Sequence, residues 1–219
     1  MHYKNLKTPC INAITVILFT LPGATAAASP WIDAGDATLR HHLHVLADAG
    51  VVTVPVTTWP LMWSGISRDL ANADRFDLTA AQASSLAYVQ FAATRDTSND
   101  LRLDWKTAAR NTKPVFTNFA DSQREQVESQ FTADWVGGTF AGRAAVTWVA
   151  DPLDGKQLRY DGSYMAGVIG NWAISAGAID RWWGPGWQQS TILSTNARPV
   201  PGISIQRNYS DAFKTPWLS

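Results

Sequence analysis

Between Asp180 and Gln189 the chain reads DRWWGPGWQQ, three indoles around a Gly184-Pro185-Gly186 bend that no helix or strand interior tolerates. Sugar rings present C–H faces that stack on indole, and their hydroxyls hydrogen-bond to amides and charged groups. Asp180, Arg181, Trp182, Trp183, Trp187 and Gln188, with Gln189 beside them, supply both kinds of contact, so this segment is the candidate carbohydrate site. Indoles in a turn also anchor strand ends at a lipid–water boundary or pack inside a lumen. Of the two readings, structural anchoring is the one these residues favour.

Other combinations that could do chemistry are weaker. His41, His44 and Asp48 share one face of a helix, but nothing nearby completes a zinc shell or orients the rings. Serine catalysis needs a histidine close to the nucleophile, and apart from His2 the histidines are His41, His42 and His44, all on one helical segment. The G-x-S-x-G elbow does not occur. Glu125 and Glu128, the only glutamates, fall on one strand with opposite orientations and make a poor glycosidase pair. Asp151 and Asp154 belong to a turn. Binding without catalysis, metal or cofactor is the expectation.

The first 28 residues read as an export leader: Lys4 and Lys7, the apolar run INAITVILFTLPG, then ATAAAS, with cleavage after Ala26 or Ala28. The only cysteine, Cys10, lies within it. Removing the leader's two lysines leaves 16 basic residues against 18 acidic, a balance without the basic footprint of a nucleic-acid binder.

The elements that must position the aromatic turn come in two blocks. Residues 29–98 read as a helical unit. In DATLRHHLHVLADAG, Asp36 caps the start, Leu39, Leu43, Leu46 and Ala47 form a stripe, and Gly50 closes the end. A shorter helix follows Pro60. Thr79 and Gln82 have capping-box spacing ahead of Leu86, Val89 and Ala93.

Residues 99–219 change to a period of two. Val127, Ser129, Phe131, Ala133 and Trp135 alternate with Glu128, Gln130, Thr132 and Asp134, and Gly137-Gly138 marks a hairpin. The returning segment places Phe140, Gly142, Ala144, Val146 and Trp148 on one face. The next places Leu158, Tyr160, Gly162, Tyr164, Ala166 and Val168 together, and after a turn at Gly170-Asn171 come Trp172, Ile174, Ala176 and Ala178. Segments 100–109, 113–120, 189–196 and 202–209 are further strand candidates. Runs over 125–136, 139–150 and 157–168 match the roughly nine to eleven residues of a tilted bilayer-crossing strand rather than the shorter average of globular sheets. Apolar faces with aromatic ends, opposite polar faces, predict an antiparallel transmembrane β-barrel. A porin-like small barrel and a soluble exported sugar-binding β-sandwich are the alternatives.

SPWIDAGDATLRHHLHVLADAGVVTVPVTTWPLMW at the front, and DRWWGPGW followed by STILSTNARPVPGISIQR at the back, resemble the Wzi-type capsule-assembly family. The resemblance implies an outer-membrane β-barrel with a helical unit on the periplasmic side. It also implies lectin-like, non-enzymatic attachment of capsular or extracellular polysaccharide, with outer-membrane lipid as the other partner. Family barrels have more strands than the segments available here, and SDAFKTPWLS does not read as a closing strand, so the expectation is an N-terminal portion of a barrel.

Overall fold

A computed structural model describes residues 30–98, 101–121 and 123–209. The expected leader, Cys10 and the terminal SDAFKTPWLS lie outside the described residues.

Among the described residues all the helices precede residue 98. Strand β1 (Trp31–Ile32) leads into helix α1 (Ala37–Asp48), and short strands β2 (Thr58–Trp59) and β3 (Leu61–Met62) precede α2 (Trp63–Leu70) and α3 (Ala80–Asp96). The local signals act as their chemistry requires. The Asp36 side chain accepts from the Leu39 N–H at 2.8 Å, and Gly50 takes φ +75° after the last turn of α1. Thr79 and Gln82 form a complete capping box at the head of α3. Leu39, Leu43, Leu46, Trp63, Ile66 and Val89 pack into one core, and Phe119 and Trp182, which come from far later in the chain, are buried in it too.

The later strands form one antiparallel sheet: β4 (Arg102–Ala109), β5 (Val127–Gly137), β6 (Phe140–Val149), β7 (Leu158–Arg159), β8 (Tyr164–Ile169), β9 (Trp172–Gly177) and β11 (Gly202–Arg207). The order across the sheet is β11-β9-β8-β6-β5-β4, with β7 also on β6, and the described strands do not close on themselves. A short strand, β10 (Trp182–Trp183), leaves this sheet and pairs with β2. Gly137 pairs with Phe140 and Ile169 with Trp172, which leaves two-residue turns led by Gly138 (φ +43°) and Gly170 (φ +58°). Both turns lie at one end of the sheet, and the long connections lie at the other.

Along β5 and β6 the alternation holds. Phe131, Trp135, Phe140, Val146 and Trp148 are exposed on the outward face, while Asp134, Ala145, Thr147 and Val149 are buried on the inner one. Leu103 and Trp105 of β4, Met165 and Ile169 of β8, Trp172 and Ile174 of β9, and Ile203 and Ile205 of β11 continue the outward apolar surface.

Two strand expectations need correction. Residues 157–168 are not one uninterrupted strand. Thr147 pairs with Arg159 but Arg143 pairs with Tyr164, so four residues on one strand oppose three on β6, a one-residue bulge. Ser163 fills the gap: its hydroxyl accepts from Ala145 N–H at 2.9 Å and donates to Ala145 C=O at 3.1 Å. Leu158 and Tyr160 therefore face outward, whereas Tyr164 and Ala166 are buried on the inner side. Segments 113–120 and 189–196 are irregular rather than extended. Pro114 cannot donate to a ladder, and the two segments meet through side chains, with Asn196 Oδ1 accepting from the Thr117 N–H and hydroxyl at 2.5 and 2.8 Å.

Candidate functional site

The predicted carbohydrate residues separate into three environments. Trp182 is fully buried beside Phe119, with ring centroids 5.7 Å apart, and Trp59 meets the same phenyl ring edge-on at 5.0 Å. No sugar can reach its indole, which corrects the expectation for this residue: an aromatic core outcompetes display on a surface. Trp183 is half-buried and opposite Thr58 in the β10–β2 pair. Trp187, Gln188 and Gln189 are exposed, the indole at 39%.

The bend between them is held from within. Arg40, on α1 and with no exposed surface, donates through one terminal nitrogen to the carbonyls of Pro185 at 2.8 Å and Gly186 at 3.1 Å. Trp182 Nε1 donates to Gly186 C=O at 3.0 Å from the other side. The guanidinium lies over the Phe119 ring at 4.2 Å and over Trp187 at 4.5 Å. A Cβ on Gly186 would come within 2.4 Å of the Gln189 carbonyl oxygen, so the tight return demands glycine.

Asp180 and Arg181 point elsewhere. Asp180 lines a cleft of about 380 Å³ between the inner sheet face and the β1–α1 loop, with Asp33, Arg124, Glu128, Arg143 and Arg159. Its carboxylate pairs with Arg124 at 2.5 Å; burial nevertheless pushes the carboxyl up from its ordinary value, against the pull of that arginine. Arg181 donates to the Ser204 hydroxyl of β11.

Alternating charges tile the cleft and the adjoining recess. Arg143 bonds Asp134 at 2.6 Å and also pairs with Asp33, and Arg102 bridges Asp96 at 2.8 Å and Asp134 at 3.5 Å. Towards the long connections, Lys113 and Arg159 each hold Glu125 at 2.7 Å, and Arg198 bonds Asp161 at 2.7 Å and reaches Asp154. Burial would raise the Glu125 carboxyl, but hydrogen bonds from Lys113 and Arg159 outweigh it and hold the group below its usual range. Paired carboxylates and guanidinium groups fixed in this way offer both acceptors and donors to hydroxyl-rich ligands.

The α1 histidines have other partners. His42 stacks on Tyr88 at 4.3 Å and bonds Ser85 at 3.0 Å, and His44 meets Arg40 Nε at 3.4 Å. Among the described residues no group of three His, Cys, Asp or Glu side chains could hold a metal ion. Sequence reasoning missed Arg40, Arg124, Arg143 and Phe119. Arg40, directly after Leu39 on the apolar stripe of α1, was the one available signal.

Residues 97–219 match the family of the capsule assembly protein Wzi. The chain belongs to that family. It is 27% identical over 217 residues to a Klebsiella pneumoniae protein described as an uncharacterized 55.8 kDa protein in the cps region, covering 94% of this chain and 40% of that one. Its fold is similar to a solved Escherichia coli structure, Wzi, described as an outer membrane protein involved in group 1 capsule assembly and a carbohydrate-binding β-barrel. The TM-score is 0.71 at 23% identity, over 85% of this chain and 42% of the other. This Wzi-family chain spans about two fifths of the length of both. Its open antiparallel sheet, with helices against the inner face, is an arc of that barrel fold.

Proposed function

We propose that this protein is exported to the bacterial outer membrane, where it attaches capsular or extracellular polysaccharide to the cell surface by non-enzymatic, lectin-like binding. The observation that carries this is the opposition of the two sheet faces. From Phe140 to Trp148 the outward side chains of β6 are apolar with an aromatic residue at each end, and the strand between them spans roughly 26 Å at about 3.3 Å per residue. Tilted by some 40°, that run covers about 20 Å of bilayer depth, close to the apolar band of an outer-membrane barrel. The other face carries the paired charges of the cleft, where Asp180, Arg124 and Arg143 present donors and acceptors to sugar hydroxyls.

Outer-membrane lipid covers the outward face in this reading. The two-residue turns lie on the periplasmic side, as short turns do in outer-membrane barrels, and the helical unit reaches from them, where Ser64 bonds Asn208 beside Asn171, to the long connections, where Arg40 holds Pro185 and Gly186. The test is genetic and biochemical. Deleting the gene should move surface polysaccharide from the cell-bound fraction into the medium, and the detergent-solubilised protein should bind that purified polymer. Unchanged cell-bound polymer together with no binding would overturn the proposal.

A further inference from the structure

We infer that Arg40 is the positioning residue of a sugar-stacking subsite on Trp187, and that this subsite takes the C–H face of an uncharged pyranose ring. The inference rests on the polysaccharide-binding reading above and adds a location, a ligand class and a supporting residue to it.

Arg40 is a cation in a place where burial is costly. Arg40 has no exposed surface and, among the described residues, no carboxylate partner. Burial lowers the guanidinium's affinity for its proton. An apolar side chain of similar volume would join α1 to its neighbours at lower desolvation cost, so the guanidinium is explained by what it holds. It holds the Pro185 and Gly186 carbonyls and the faces of two rings, Phe119 and Trp187.

Trp187 is fixed on its backbone as well, because its carbonyl accepts from the Phe119 N–H at 2.8 Å. An indole that is 39% exposed, yet backed by a buried guanidinium and edged by Phe119 at 6.0 Å, is ordered before any ligand arrives. Stacking on it costs little further side-chain freedom. Its setting differs from that of Trp105, Trp135 and Trp148, which lie on the outward apolar face of the sheet. Trp187 is followed by the exposed amides of Gln188 and Gln189, which offer hydroxyl partners without charge. Arg40 has no exposed surface, its carbonyl contacts run through one terminal nitrogen and the other is buried, so no guanidinium N–H is presented to a substituent of the ligand, which favours a neutral ring face over an anionic group at this point.

The experiment uses the full protein in detergent, labelled with 5-fluorotryptophan, and the polysaccharide purified from the producing cells. The Trp187 ¹⁹F resonance, assigned by its loss in Trp187→Phe, should shift on addition of polymer and shift equally with carboxyl-reduced polymer. Trp187→Ala should weaken binding about tenfold or more, the scale of an aromatic hot spot, while Trp187→Phe retains most of it. Arg40→Met should move the Trp187 resonance in the free protein and weaken binding, with partial recovery in Arg40→Lys. Polymer binding with an unmoved Trp187 resonance, or with Trp187→Ala within twofold of wild type, overturns the subsite. Loss of the shift with carboxyl-reduced polymer overturns the neutral-ring assignment, and wild-type affinity in Arg40→Met overturns the role of Arg40. Absence of any binding by the wild-type protein overturns the polysaccharide reading itself, a distinct result.

Discussion

In the helical unit Leu43, Trp59, Trp63 and Trp182 turn inward and are lost to solvent, whereas in the sheet Trp105, Phe131, Trp148 and Ile203 turn away from the molecule and the charges turn in. The two regions are built from the same residue types with opposite polarity of placement. The difference fits the proposed setting, in which the helical unit hides its apolar side chains as a protein in water does and the sheet offers its own to lipid on its outer side.

Substitutions should expose that reversal, beginning with the core. Trp182→Ala removes a fully buried indole and should cost about 3–5 kcal/mol, read as a lowered denaturation midpoint of the helical unit and its protease sensitivity. If the midpoint stays within error, Trp182 does not belong to that core. Next comes charge on the wall. Phe131→Arg, near the middle of β5 on the outward face, should cost about 2–4 kcal/mol in lipid, while the same arginine at the neighbouring inward Thr132 should be tolerated. Folding measurements in vesicles test the pair, and equal costs at the two positions would erase the proposed difference between faces. Asp36→Ala deletes the α1 cap for about 1 kcal/mol and should leave the sheet untouched.

The smallest effect concerns pH. His42 and His44 are both held below their ordinary value near 6.5, His42 by burial and the nearby His41, His44 by burial and the Arg40 charge. A depressed folded-state value means that the unfolded chain takes up more protons as pH falls below about 6.5, so their contribution is present above that pH and lost on acidification. Melting at pH 7.5 and 5.5 should show the helical unit losing more than the sheet, and His44→Gln should narrow the gap. An unchanged gap would exclude His44 as its source.

Much of the frame was legible because its causes are local. Asp36 caps a helix three residues away, Thr79 and Gln82 reciprocate across one turn, and Gly138 permits the φ that its hairpin needs. The alternation of β5 and β6 survives because both faces are strongly specified. The site was not legible in the same way. Arg40 meets carbonyls about 145 positions along the chain, and Arg124 meets Asp180 across 56. Nor could DRWWGPGWQQ announce that one of its tryptophans belongs to the core of a distant helical unit while another stays outside. That division depends on β10 leaving the sheet to pair with β2.

The bulge at Asp161–Ser163 gives β7 and β8 opposite parity on a single line of chain, even-numbered residues outward before it and inward after it. A length change there is therefore an arithmetic matter. Deleting one residue leaves three opposite three, so the two segments become one regular strand with Leu158 and Tyr160 still outward and Tyr164 and Ala166 still inward; what is lost is the Ser163 hydroxyl bridge to Ala145. Deleting two leaves two opposite three, and one segment must then turn over unless β6 takes up a bulge of its own. Chains of this family should thus shed one residue at this point more readily than two.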